Sequence, residues 1–164
     1  MLELERVSKR LAEIDKVLAQ ECLDDPRALR LMTTPGVSSV VASIVLAAIG
    51  DITRFPTPDK LSSYFGLTPR ILQSGDHPAR HGRISKQGNG DVRKMLVEAA
   101  WSAKTAPGPL RAFFNRIQKK NAGGAAAVAT ARKLAVMIWH ILSSGKEYAY
   151  AGPRLRDEAA EGSA

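Results

Sequence analysis

The chain has one cysteine, Cys22. No intrachain disulfide can form, and with no cysteine or histidine close to it in sequence a zinc site is excluded too. It reads as a small core residue in a reducing compartment. Acidic residues are also scarce: 16 Asp and Glu against 24 Lys and Arg leave a formal charge of +8 and a pI near 9.9. That surplus needs a polyanionic partner, and nucleic acid, DNA above all, is the commonest; a ribosome-like or membrane-surface role would also suit the charge. No stretch reads as long and apolar enough to span a bilayer, and the N-terminus lacks a signal-peptide layout, so a cytoplasmic chain with no membrane partner is expected. There is no internal repeat, Walker loop or dinucleotide fingerprint.

What is present is mainly helical. At 164 residues the chain suits one compact domain with an appendage. Leu4, Val7, Leu11, Ile14 and Leu18 recur at steps of three and four with Glu3, Glu5, Arg6, Lys9, Arg10 and Lys16 between them. This is the seam of a coiled coil, too short to hold alone, so residues 1–24 read as an arm that packs on its own domain or on a second copy. Residues 25–150 read as the domain and 151–164 as a polar, frayed tail. Within the domain, Ala28–Met32 should be a short helix, Val40–Ile49 an apolar buried helix stopped by Gly50, and Lys60–Phe65 a helix capped by Thr57-Pro58. Between Leu67 and Gly90 periodicity disappears. Helices resume at Asp91, at Leu110–Lys120 and at Gly123–Ser144, with Gly145 as the last stop. The fold class is all-α: a compact helical domain with a helix-hairpin-helix-like element, a long basic loop and the N-terminal arm.

Two segments could carry chemistry. Pro35-Gly36-Val37, between a short helix and an apolar one, looks like the turn of a helix-hairpin-helix, whose backbone N–H groups face a DNA phosphate around Gly36; Ser38 stands where many such turns have a second glycine. The loop holds Arg70, Arg80, Arg83, Lys86, Arg93 and Lys94, with His77 and His81, against only Asp76 and Asp91. Clustered guanidinium groups suit phosphate, and Asn89-Gly90-Asp91 at the start of a helix would add free N–H donors where Lys86, Asn89 and Arg93 converge. Six like charges in a Gly/Pro-rich stretch repel one another, so the loop is expected to order only on meeting phosphate. Ser74, beside Gly75 in this field, is the candidate nucleophile for phosphoryl transfer; Ser85 is a competitor, and His77 or His81 could accept the proton. Asp51, Asp59, Asp76, Asp91 and Glu98 are scattered, with no spacing that would gather a metal.

Taken in order, Thr34-Pro35-Gly36-Val37, Ala42, Ile49-Gly50-Asp51, Arg54-Phe55, Lys60-Leu61, Tyr64-Phe65-Gly66-Leu67, Pro69, Ser74-Gly75, Gly82-Arg83-Ile84-Ser85-Lys86, Gly88-Asn89, Arg93, Ala131–Leu134 and Tyr148 form a series. It resembles the C-terminal transposase domain of the insertion sequence 110, 116 and 902 family over about residues 30–148. The resemblance implies a bacterial, nucleoid-associated recombinase that joins DNA through a serine nucleophile, which falls on Ser74, guided by a structured RNA from the element. Family members also carry an N-terminal RuvC-like domain with acidic residues for a divalent metal such as Mg, then a coiled coil. That first part is absent from this sequence. The resemblance therefore implies a chain that needs the RuvC-like domain for activity and holds no cofactor itself, while the short seam of the arm points to a homo-oligomer. Two other readings stay open: a non-catalytic helix-hairpin-helix binding module and a coiled-coil assembly domain.

Overall fold

The computed structural model describes residues 2–72, 80–85 and 87–150. Seven α-helices and one two-stranded hairpin appear among them, so the all-α expectation holds with a small β element added. Helix α1 (Leu2–Asp24) is the arm. Leu4 is 74% exposed, Val17 58%, and Val7, Leu11 and Ile14 56% each. Only its last turns engage the domain, where buried Cys22 places its Sγ 3.0 Å from the Ser43 hydroxyl and 3.4 Å from the Ser39 carbonyl. The seam therefore has no cover over most of its length.

Helix α2 (Pro26–Met32) starts where the Asp25 carboxylate accepts from the Arg27 N–H at 2.8 Å and Pro26 presets the first helical residue. The Thr33–Ser38 turn leads into α3 (Ser39–Ile49), whose N-cap is Ser38 and whose stop is Gly50. After a 3₁₀ turn at Ile52–Arg54 comes α4 (Pro58–Tyr64), capped by Thr57. Strands β1 (Pro69–Leu72) and β2 (Arg80–Ile84) pair antiparallel, Pro69 opposite Ile84 and Leu72 opposite Arg80, with an irregularity between Pro69 and Ile71. Helices α5 (Gly90–Ala103), α6 (Pro109–Gln118) and α7 (Gly123–Ser144) complete the domain.

Helix α7 is the axis of the core. Ala126, Ala127, Thr130, Ala131, Leu134, Ala135, Ile138 and Ile141 are buried against α5, α6, α4 and α2. The alanines let neighbouring backbones come close, and Leu31, Phe65, Leu96 and Phe114 fill what remains. By length and composition α7 could cross a membrane, against the expectation that no segment would qualify. The surroundings explain its apolarity, since four helices pack on it and it serves as the core helix. Two distant contacts close the structure: Trp139 Nε1 donates to the Phe55 carbonyl at 2.7 Å, and after α7 the Tyr148 N–H donates to the Thr33 hydroxyl at 3.0 Å.

Candidate nucleic-acid interface

The basic segment between α4 and α5 is braced at its base by two helix ends. Helix α4 finishes in a Schellman arrangement, with the Leu67 N–H on the Ser62 carbonyl and the Gly66 N–H on the Ser63 carbonyl, each at 2.9 Å. The carbonyls left over at this end are met by the start of α5. The Asn89 N–H donates to the Tyr64 carbonyl at 2.9 Å, and Arg93 Nη1 donates to the Phe65 carbonyl at 3.3 Å. A cation here also favours the negative end of the α4 dipole. Gly88, at φ +125°, passes so close to Tyr64 that a Cβ would lie 2.3 Å from its carbonyl oxygen. The Ser85 N–H reaches the Thr68 carbonyl at 2.9 Å, so the ladder continues one step past the paired strands. The two ends of the hairpin are thus bonded to each other, and the helices that flank it, α4 and α5, are bonded end to start.

This bracing changes what can be read at several predicted positions. Asn89 does open α5, but its side-chain oxygen accepts from the Asp91 and Val92 N–H groups, each at 3.1 Å. An anion at that helix end would have to displace the Asn89 side chain. Arg93 is half-buried, with one of its donors directed inward to α4. Arg70 lies in β1, and Arg80, His81 and Arg83 lie in β2, so their backbones share one hairpin. Ser74, Asp76, His77 and Lys86 lie outside the described residues. The stretch without periodicity does contain regular structure at its flanks, where β1 and β2 pair.

The Gly36 turn is also placed. At φ +86° its Cα faces α5, and a Cβ would lie 2.2 Å from the Ala99 carbonyl oxygen and 2.9 Å from the Ala103 nitrogen. The Val37 N–H turns inward to the Thr34 carbonyl at 3.0 Å, while exposed Ser38 caps α3. One face of the turn is therefore committed to packing. The carboxylates remain dispersed: Asp51 caps the 3₁₀ turn and Asp59 pairs with Arg132 at 3.1 Å. Among the described residues no three His, Cys, Asp or Glu side chains gather to hold a metal.

Sequence reasoning passed over a second positive surface. From Ala99 to Lys146 the chain carries eight Lys and Arg and no Asp or Glu, a signal legible in the sequence. Much of that charge collects around α6, where Arg116 and Lys133 stand 5.3 and 4.7 Å from the Phe113 ring centroid.

Residues 28–115, more than half of the chain, match the family described as Transposase IS116/IS110/IS902 family. The chain belongs to that family. The match takes in the Gly36 turn, α3, α4, the hairpin with the Ser74 segment, α5 and part of α6. Over 146 residues, 86% of this chain and 43% of the relative, it is 30% identical to a probable family 20 transposase of Pseudomonas aeruginosa. It is 28% identical over 141 residues, 84% of the chain and 42% of the relative, to the transposase for insertion sequence element IS1328 of Yersinia enterocolitica. A Moraxella bovis protein named a pilin gene-inverting protein is 33% identical over 95 residues, 57% of the chain and 30% of that protein. The chain spans about two-fifths of the length of the first two.

Proposed function

We propose that this chain is the strand-transfer portion of a bacterial insertion-sequence transposase, with Ser74 as nucleophile. The observation that carries the reading is the family match across residues 28–115, which includes Ser74 and the basic segment around it. The name of the Moraxella bovis relative adds support, because inverting a gene requires DNA to be cut and rejoined. In the proposed step the Ser74 hydroxyl attacks the scissile phosphorus. Its proton passes to a nearby base, for which His77 and His81 are the candidates; the P–O bond to the departing strand breaks, and that strand's oxygen takes up the proton held by the base and leaves as a free hydroxyl. Arg70, Arg80, Arg83 and Lys86 would stabilise charge on the phosphorane. Rejoining runs the same exchange in reverse on a new strand, and since one phosphodiester replaces another no nucleotide cofactor is consumed.

The bracing of the hairpin suits this chemistry, because a nucleophile gains from a support that does not wander. Four partners complete the proposal: DNA, a structured RNA from the element, a RuvC-like domain that brings a divalent metal, and a second copy engaged through the α1 seam. The chain alone is then a binder of nucleic acid that does not recombine it, in the bacterial cytoplasm close to the nucleoid. A second reading, a non-catalytic helix-hairpin-helix module, draws on the α2–turn–α3 arrangement around Gly36.

The deciding experiment combines this chain with a RuvC-like partner domain, the element RNA and labelled DNA, and looks on a denaturing gel for a protein–DNA adduct, with Ser74→Ala in parallel. An adduct lost in the variant establishes the serine mechanism. Tight binding with no adduct from either protein leaves the binding module as the better account.

A further inference from the structure

We infer that the outer face of α6, with the turn before it and Lys133 of α7, is a second nucleic-acid surface that grips the backbone of duplex DNA. The inference rests on the proposed function for its ligand class. Its own support is the arrangement of Lys104, Arg111, Arg116, Lys119, Lys120 and Lys133. None of these six has an ion-pair partner among the described residues, whereas Arg27 and Arg132 do. All but half-buried Lys104 are exposed. Like charges brought together without a carboxylate cost stability, and a polyanion that arrives to neutralise them recovers it.

Three of the six cations are also held against rings. Phe113 sits beneath both Arg116 and Lys133, and the Lys104 ammonium is 4.8 Å from the Trp101 ring centroid and 5.2 Å from that of Phe114. Trp101 and Phe114 in turn pack at 5.2 Å between centroids. Cation–π contacts of this kind fix where the charge lies and leave its outer side open.

The same rings choose between nucleic-acid forms. Single strands are gripped by open aromatic faces on which bases stack. Phe114 is fully buried, Phe113 is half-buried beneath its two cations, and Trp101, 39% exposed, has Lys104 over its ring. Trp101 is thus the one exposed ring of the three, and a cation stands over it. Phosphates are what remain to be recognised, and a duplex presents them at twice the linear density of a single strand on a stiff rod. The position is suitable as well. Asn89 and Arg93, at the hairpin base, lie at the start of α5, and Trp101 packs on α6 from its end. The 14 residues of α5 separate the two basic surfaces, which is about 20 Å at 1.5 Å per residue and roughly six base pairs of duplex.

The test is fluorescence anisotropy with a random-sequence duplex of about 20 bp and a single strand of the same length, titrated between about 50 and 200 mM salt. The wild-type chain is compared with a variant carrying Arg111→Gln, Arg116→Gln, Lys119→Gln and Lys120→Gln. A charge-matched control carries Arg6→Gln, Lys9→Gln, Arg10→Gln and Lys16→Gln on α1. Thermal melts check that each variant folds. The α6 variant is expected to bind duplex at least about tenfold more weakly and to lose up to about 3.6 from the slope of log K against log salt, at about 0.9 for each of four phosphate contacts. The α1 control should lose much less, and Arg111→Lys with Arg116→Lys should retain the slope. Duplex affinity and slope unchanged in the α6 variant, a loss no larger than in the α1 control, or a loss confined to the single strand would each overturn the inference and leave the transposase reading intact. A wild-type chain that binds neither duplex nor single strand at low salt would overturn both.

Discussion

Replacing Gly36 by alanine puts a methyl group where the structure has helix α5. The added Cβ would lie 2.2 Å from the Ala99 carbonyl oxygen and 2.9 Å from the Ala103 nitrogen, both backbone atoms that no rotamer change can move. Two costs add. Holding a non-glycine residue at φ +86° costs about 1–2 kcal/mol, and forcing a methyl into a packed contact costs about 1–3 kcal/mol more. The total is about 3 kcal/mol, which for a domain of this size lowers Tm by roughly 6–12 °C. Gly145→Ala is the matching control, because Gly145 has φ +67° but nothing within 4 Å of its Cβ position. It incurs only the backbone cost, about 1 kcal/mol. Both variants share the small entropic gain of alanine in the unfolded chain, so their difference isolates the contact with α5. Thermal and urea unfolding followed by far-UV circular dichroism give the two values. If Gly36→Ala melts within about 1 °C of Gly145→Ala, the turn does not lie against α5 as described, and its role would pass back to anion binding alone.

The α1 seam separates folding from assembly: Val7→Glu, Leu11→Glu and Ile14→Glu alter side chains that are more than half exposed, so the melting temperature of dilute chain should hardly move while self-association seen by sedimentation disappears. A large loss of stability in the dilute monomer would mean that the arm folds back on its own domain. The Asp25 carboxyl is held below the usual carboxylate range by its hydrogen bond to Arg27, partly offset by desolvation. A group whose folded pKa lies below its unfolded value near about 3.9 contributes fully above that pH, and its contribution is lost as pH falls through the folded pKa. Asp25→Asn keeps a capping oxygen but removes the charge, so the small stability gap from wild type, best seen at low salt because the pair is partly exposed, should close between about pH 6 and about pH 2. A gap that stays constant would show that the Arg27 pairing contributes nothing.

Several boundaries were legible in the sequence because the forces that set them are local. Thr57-Pro58 starts α4, Gly50 ends α3 and Gly145 ends α7 as their side chains or lack of one dictate. Helix α1 was legible for the same reason, since its apolar period lies along one stretch of chain. The ordered series from Thr34 to Arg93 also pointed to the family that the match over residues 28–115 establishes. Tertiary structure decided the rest. The strands β1 and β2 are short, and β2 contains Gly82, so no alternation betrays them, and what makes them strands is the pairing of each with the other. That Asn89 caps α5, that Arg93 turns back to Phe65, and that the Gly36 face is spent on α5 depend on where separate helices end in space. Helix α7 has the length and apolarity of a membrane span, and only its four packing neighbours make it a core helix. Around α6 the sequence lists cations without carboxylates, but it takes the fold to seat Arg116 and Lys133 on one ring, because residues so far apart meet only when the helices that carry them pack.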